Sequence, residues 1–277
     1  MASRNSDPGQ RSRFRGLLDV ARAGVKRHWL AVGLVTAASL GLLLFLPRPS
    51  ILTRAEAQSE SGPLSCDDLL GWGNQSARES WSINCQNGNL RFELRSGDRW
   101  QRDVYHNHDA ERAELASPSV YGTDIWYGFD FMVEPGPPTS SNWLEAGQFH
   151  NTPDPGEMKP SPAVAQGFSE GDVFRIFVRY DASKPLRINP KPLHVFEDTH
   201  FVRGKYYHFV YHIVYTPTDA GLVDVWRDGQ QIVNYRGPVG YVNFRSPYLK
   251  VGIYRAPAAE TVVAHYANVR LGNTPIH

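Results

Sequence analysis

From Leu90 onward the chain alternates apolar and polar residues over short segments, breaks at Gly, Pro or Asn, and begins again. Nowhere there does it sustain the 3.6-residue apolar repeat of a packed helix. Leu90 to Arg95, Ile125 to Val133, Phe174 to Tyr180 and Tyr206 to Tyr215 each read as strands. Val223 to Val233 reads as a hairpin, with Asp228-Gly229 supplying the positive φ angles of a tight turn. Twenty-four glycines and 20 prolines provide the punctuation. Many short strands in roughly 210 residues predict an all-β domain, a single β-sandwich of jelly-roll (concanavalin-like) type. Asn151 to Ser169, rich in Pro, Gly and acidic groups, reads as a mobile loop, and there are no internal repeats.

The N-terminal part is built differently. Residues 1–28 are polar and basic, and Trp29 to Leu46 is an uncharged run stopped by Pro47. That length suits a membrane-spanning helix of about 17 to 25 residues, and the basic flank marks its cytoplasmic side. A retained signal anchor or a signal sequence is predicted over 29–46, with cleavage near Ala57 as the alternative. Either way the domain is exported, anchored on the outer side of the cytoplasmic membrane or secreted. Residues 47–63 have linker composition, leaving 64–277 for the sandwich. Nine of the 29 Lys/Arg and four of the 28 Asp/Glu fall within residues 1–63, so the domain carries twenty basic against twenty-four acidic groups. A mildly acidic domain argues against nucleic acid as a partner, since that affinity comes mostly from phosphate neutralisation. The two cysteines, Cys66 and Cys85, are expected to pair in an exported protein. Without a neighbouring His or Cys set they make no zinc site. Asn74-Gln75-Ser76 fits a glycosylation acceptor.

Three stretches place reactive side chains on one strand face. Extended Glu145-Ala146-Gly147-Gln148-Phe149-His150 sends Gln148 and His150 one way and Phe149 the other. Glu111 to Leu115 groups Arg112 with Glu114, backed by Ala113 and Leu115. Tyr248 to Tyr254 groups Tyr248, Lys250, Gly252 and Tyr254 against Leu249, Val251 and Ile253. Any one polar face can simply meet solvent. Three faces carrying Arg, Gln, His, Lys and Tyr depart from the Thr, Ser, Lys and Glu of ordinary solvated strands.

Taken together, Arg112-x-Glu114-Leu115, Gln148-x-His150 and Tyr248-x-Lys250-x-Gly252-x-Tyr254 resemble, in order and spread, the three-strand signature of jelly-roll polysaccharide lyases, the group of alginate lyases, heparin lyase I and glucuronan lyase. Departures fall at positions typical of alginate lyases: Leu249 replaces a usual Phe, Arg255-Ala256 a usual Asn-Gln, and Ala116 a frequent Arg. The resemblance implies β-elimination on a uronic-acid polymer. Arg112 and Gln148 would neutralise the uronate carboxylate, His150 or an upstream histidine would remove the C5 proton, and Tyr254 would protonate the leaving 4-oxygen, doing both jobs on some stereoisomers. It also implies that one of His106 and His108 enters the cleft. No cofactor is expected; calcium occurs in such proteins, but no Asp-x-Asp loop is visible to hold it.

Around these, Glu114 reads as a positioning group for Arg112 rather than an acid. Tyr248 and Lys250 are substrate-binding candidates, Lys250 also being the cation expected near Tyr254. Arg175 and Arg179 share a face that can line a polyanion cleft, while His208 and His212 in an aromatic strand read as packed or hydrogen-bonded core groups. The expected partners are an anionic polysaccharide and, through the N-terminal helix, a membrane, with the protein acting as a monomer. Two other functions stay open: a non-catalytic, lectin-like carbohydrate-binding sandwich, and a glycoside hydrolase. The hydrolase needs two facing carboxylates that the sequence does not display.

Overall fold

A computed structural model describes residues 62–120 and 122–276. The predicted basic segment, membrane-spanning run and almost all of the linker lie outside these residues. Among the described residues no helix is long and apolar enough to cross a membrane.

Two seven-stranded antiparallel sheets dominate. The first runs β1 (Gly73–Ser76), β4 (Glu111–Ser119), β15 (Tyr248–Arg255), β6 (Leu144–His150), β7 (Val164–Ser169), β8 (Val173–Val178) and β10 (Leu193–Asp198). The second runs β13 (Gln230–Arg236), β12 (Leu222–Arg227), β11 (Tyr207–Val214), β5 (Asp124–Val133), β16 (Val262–Gly272), β3 (Asn89–Leu94) and β2 (Ile83–Gln86). A short parallel pair joins β9 (Tyr180–Asp181) to β14 (Gly240–Tyr241).

Alternation explains how they stack. Ala113, Leu115, Phe149, Leu249, Val251 and Ile253 from the first sheet share one buried cluster with Phe92, Phe129, Phe131, Phe209 and Tyr266 from the second. Edge-on and offset ring contacts fill it, such as Phe92 with Tyr266 at 5.6 Å and Phe174 with Phe209 at 5.6 Å. Asp228 and Gly229 both take positive φ, 53° and 79°, and close the predicted hairpin between β12 and β13.

Two short helices interrupt the strands. α1 (Cys66–Leu70) begins at Ser65, whose hydroxyl accepts from the Asp68 N–H while the Asp68 carboxylate accepts from the Ser65 N–H. Its Cys66 is bonded to Cys85 on β2, as predicted. α2 (Gln101–Tyr105) carries Asp103 toward the site described below.

Two expectations are corrected. Val164–Ser169 is strand β7 rather than loop, its buried Val164 and Phe168 packing inward. His208 and His212 are hydrogen-bonded, and His212 stacks on Trp126 at 4.2 Å, but neither lies in the core. Phe209, Tyr211 and Ile213 take the inward positions of β11, so the histidines face outward and pair with Asp130 at 2.6 Å and Asp124 at 2.8 Å. The Asn74 acceptor sits within β1 and receives a 2.7 Å hydrogen bond from the buried Ser76 hydroxyl.

Candidate active site

Strands β4, β15 and β6 are adjacent, and their register aligns the three polar faces. Tyr254 lies opposite Arg112, Gly252 opposite Glu114, Lys250 opposite Gln148 and Tyr248 opposite His150. An open cleft of about 660 Å³ lies on this face, lined among others by Arg112, Gln148, His150, Lys250 and Tyr254.

Its organising group is Glu114, fully buried. One carboxylate oxygen accepts from Gln148 Nε2; the other accepts from Arg112 Nη1 at 3.1 Å and Lys250 Nζ at 3.3 Å. Glu114 is on β4 and Gln148 on β6, so the contact crosses β15, a span of about two strand spacings. Gly252 lets β15 lie close against β4. A Cβ there would fall 2.2 Å from the Ala113 carbonyl oxygen and 2.8 Å from the Glu114 Cα, and its φ is +121°. One buried carboxylate thus ties Arg112, Lys250 and Gln148 together.

Arg112 is held on several sides. Nε pairs with Asp103 at 2.9 Å, Nη1 also donates to Gln75 Oε1 at 2.9 Å, and the guanidinium lies 3.9 Å from the centroid of the Tyr254 ring. Burial opposes its charge, but Glu114 and Asp103 more than offset this and raise its pKa. Sequence reasoning named Lys250 as the cation beside Tyr254. Arg112 is nearer, with Lys250 Nζ at 5.9 Å from the same ring.

Burial sets the protonation states. The Tyr254 phenol is pushed well above its ordinary pKa, with Arg112 opposing, so it is a neutral O–H at physiological pH. His150 is pulled well below 6.5, chiefly by burial and further by Lys250, and is a neutral imidazole. Its Nδ1 lies 2.9 Å from the Asn151 N and 3.0 Å from the Asn151 carbonyl oxygen, and its ring stacks on Tyr248 at 5.3 Å. Lys250 is brought down to about 8 by burial, with Glu114 opposing.

Of the remaining candidates, His108, Arg175 and Arg179 line the cleft. His108 packs 6.3 Å from the Tyr254 ring, and Arg175 pairs with Glu197 at 3.0 Å. His106 is exposed and meets Tyr105 edge-on instead. Arg255, where alginate lyases have Asn, is wholly buried and bound to Glu111 at 2.7 Å and Glu260 at 3.1 Å, so it is a structural tie.

Sequence reasoning missed Gln75, Asp103, Trp143, Glu145 and Lys159. Trp143 meets Tyr254 edge-on at 4.8 Å. Trp143 and Lys159 lie between strands and Asp103 on a one-turn helix, where no periodicity flags them. Among the described residues no group of three or more His, Cys, Asp or Glu side chains is arranged to hold a metal ion.

Comparison with known proteins finds the same fold elsewhere. Solved structures of similar fold include an endo-β-1,4-glucuronan lyase from the fungus Trichoderma reesei (14% identity, 74% of this chain and 92% of that one, TM-score 0.59). An alginate lyase from Pseudomonas aeruginosa (16%, 76% and 92%, 0.51) and one from a Chlorella virus (9%, 78% and 100%, 0.52) share it. No curated protein sequence matches significantly. A family model described as polysaccharide lyase matches residues 60–270, most of the chain. With that match spanning all three site strands, the chain belongs to the polysaccharide lyase family and is an enzyme of that class.

Proposed function

We propose that the enzyme cleaves an unsulfated uronic-acid polysaccharide by β-elimination, leaving an unsaturated uronate end. The observation that carries this reading is the shared anchor. Arg112 and Gln148 are both bound to the buried Glu114 while lining a cleft with a neutral imidazole and a neutral phenol.

The reaction must remove a proton from a carbon next to a carboxylate, whose charge opposes the developing carbanion. Arg112 is engaged by protein through Nε and Nη1, which leaves Nη2 for that carboxylate; Gln148 has its second Nε2 hydrogen. For His150 Nε2 to accept the C5 proton, Nδ1 must carry the ring hydrogen and donate it to the Asn151 carbonyl, which is the tautomer that gives up the hydrogen bond Nδ1 would otherwise accept from the Asn151 N–H. The C5–H electron pair becomes the C4–C5 double bond. The C4–O4 bond breaks, and O4 takes the Tyr254 proton. The phenolate left behind faces the Arg112 guanidinium, and solvent returns the proton from His150 to Tyr254.

Arg112, Lys159, Arg175, Arg179 and Lys250 line the cleft against the carboxyls of Asp103 and Glu145, which suits a polyanion. The mildly acidic domain as a whole favours an unsulfated one, glucuronan or a similar glucuronate polymer first and alginate next. The sheet order supports the jelly-roll assignment, and the basic flank, apolar run and disulfide support an exported domain held at the cytoplasmic membrane. The test is a panel of uronans followed by ultraviolet absorbance of the new double bond. Absorbance should rise with at least one uronan and vanish in Tyr254→Phe without a change in thermal unfolding. Binding with no absorbance on any uronan moves the reading to a lectin-like module.

A further inference from the structure

We propose that Glu145 is a proton-bearing subsite residue: its carboxyl must carry a hydrogen for the cleft to seat the uronate adjoining the cleaved one, and it donates that hydrogen to this uronate's carboxylate. The proposal rests on the uronan reading above and adds a residue the elimination does not use.

Strict alternation along β6 would turn Glu145 inward with Phe149. It does not, because β6 spends three residues between Glu145 and Gln148 where β7 spends two between Gly167 and Ala165. Gly147, with φ +113°, sits in this bulge. The bulge reverses parity, so Glu145 lines the cleft beside Gln148 and opposite Tyr254 on β15. Tyr254 protonates the leaving oxygen in the mechanism above, which places Glu145 on the leaving-group side.

The carboxyl is nine-tenths buried, and its Oε2 has no hydrogen-bond partner in the protein. An ionised carboxylate with one oxygen buried and unpaired is costly, so the acid form is favoured, and its hydrogen is available to an acceptor entering the cleft that Glu145 lines. The groups facing it are Tyr254 and Lys250 from β15, Arg112 and Glu114 from β4, and Arg179 from β8; β7 offers only Gly167. Burial outweighs the three cations and raises the pKa to about 7, with Arg179 opposing most. An arriving polyanion adds negative charge and raises it further, so binding takes up a proton. Above its pKa the free carboxylate instead repels the polymer.

The test has two parts on the full-length protein. NMR of carboxyl-labelled glutamate should show one resonance titrating near pH 7, absent from Glu145→Gln. With uronan oligosaccharide bound to Tyr254→Phe, that resonance should move to higher pKa. In turnover, wild-type KM should rise above the midpoint by up to about tenfold per pH unit, the limit for one linked proton, while kcat holds. Glu145→Gln, a permanent neutral donor, should keep the low-pH KM until Lys250 loses its charge near 8. No glutamate titrating near 7, a resonance unmoved by bound uronan, or a KM limb centred near 7 surviving in Glu145→Gln overturns the proposal alone. Failure of every uronan to bind overturns the substrate reading as well.

Discussion

Replacing Glu114 by Gln removes one charge and keeps the shape, so it isolates what the buried carboxylate does. In the wild type it accepts from Arg112, Lys250 and Gln148 at once. Removing one partner of a buried ion pair costs about 3–5 kcal/mol. Two features moderate this: Asp103 and Gln75 still hold Arg112, and Lys250, already brought down to about 8, can shed its proton. The expected loss is about 3 kcal/mol, a fall in Tm of about 6–12 °C for a domain this size. The pH dependence follows from Lys250. Glu114 raises its pKa, so the variant's lysine titrates below 8, while the unfolded chain titrates near 10.4. Between the variant's value and 8 its unfolded state binds more protons than its folded state, so the variant gains stability with pH while the wild type does not. The Tm gap should therefore narrow as pH rises toward 8 and stay constant above it. Near-ultraviolet circular dichroism melts across pH read this directly, and adding Lys250→Met should recover part of the loss. Turnover should fall by about a hundredfold or more, because Arg112 and Gln148 lose their common anchor. A Glu114→Gln protein that melts with the wild type, or a gap indifferent to pH, refutes the assignment of Glu114 as the hub.

Gly252→Ala should lower Tm by a comparable 6–12 °C, about 3 kcal/mol, since its Cβ meets backbone at 2.2 Å under a positive φ; a melt within 1–2 °C of wild type would show that β4 and β15 are less closely apposed. For pH, His150 is the base only when neutral, and in the free enzyme its pKa lies well below 6.5, so the acid limb of kcat/KM should fall well below pH 6.5. An acid limb of kcat/KM at or above 6.5 would contradict the buried, neutral imidazole.

Much of the site was legible because a strand has a period of two. Arg112 with Glu114, Gln148 with His150, and Lys250 through Tyr254 each fall on one face by counting alone, and the register keeps that count within these stretches. Counting failed where the backbone departs from the period. The bulge at Gly147 moved Glu145 to the cleft, a reversal that sequence signals only through an isolated glycine within a strand pattern. It also cannot show what lies across a strand. Glu114 looked like a partner for Arg112, whereas its reach over Gly252 to Gln148 depends on register. Asp103 and Lys159 come from segments without periodicity. His208 and His212 were legible after all: the count that buries Phe209 and Tyr211 turns them outward, and the aromatic neighbourhood obscured it.

The central claim is that the polymer is cut by elimination and not by water. Digestion of a glucuronan in water labelled with heavy oxygen, read before the new reducing-end hydroxyl exchanges with solvent, separates the two, because elimination forms a double bond and takes no solvent oxygen into either new end. Unlabelled fragments accumulating in step with ultraviolet absorbance, both lost in Tyr254→Phe, are the predicted result. Fragments that carry the heavy oxygen and no absorbance would show hydrolysis and contradict the account.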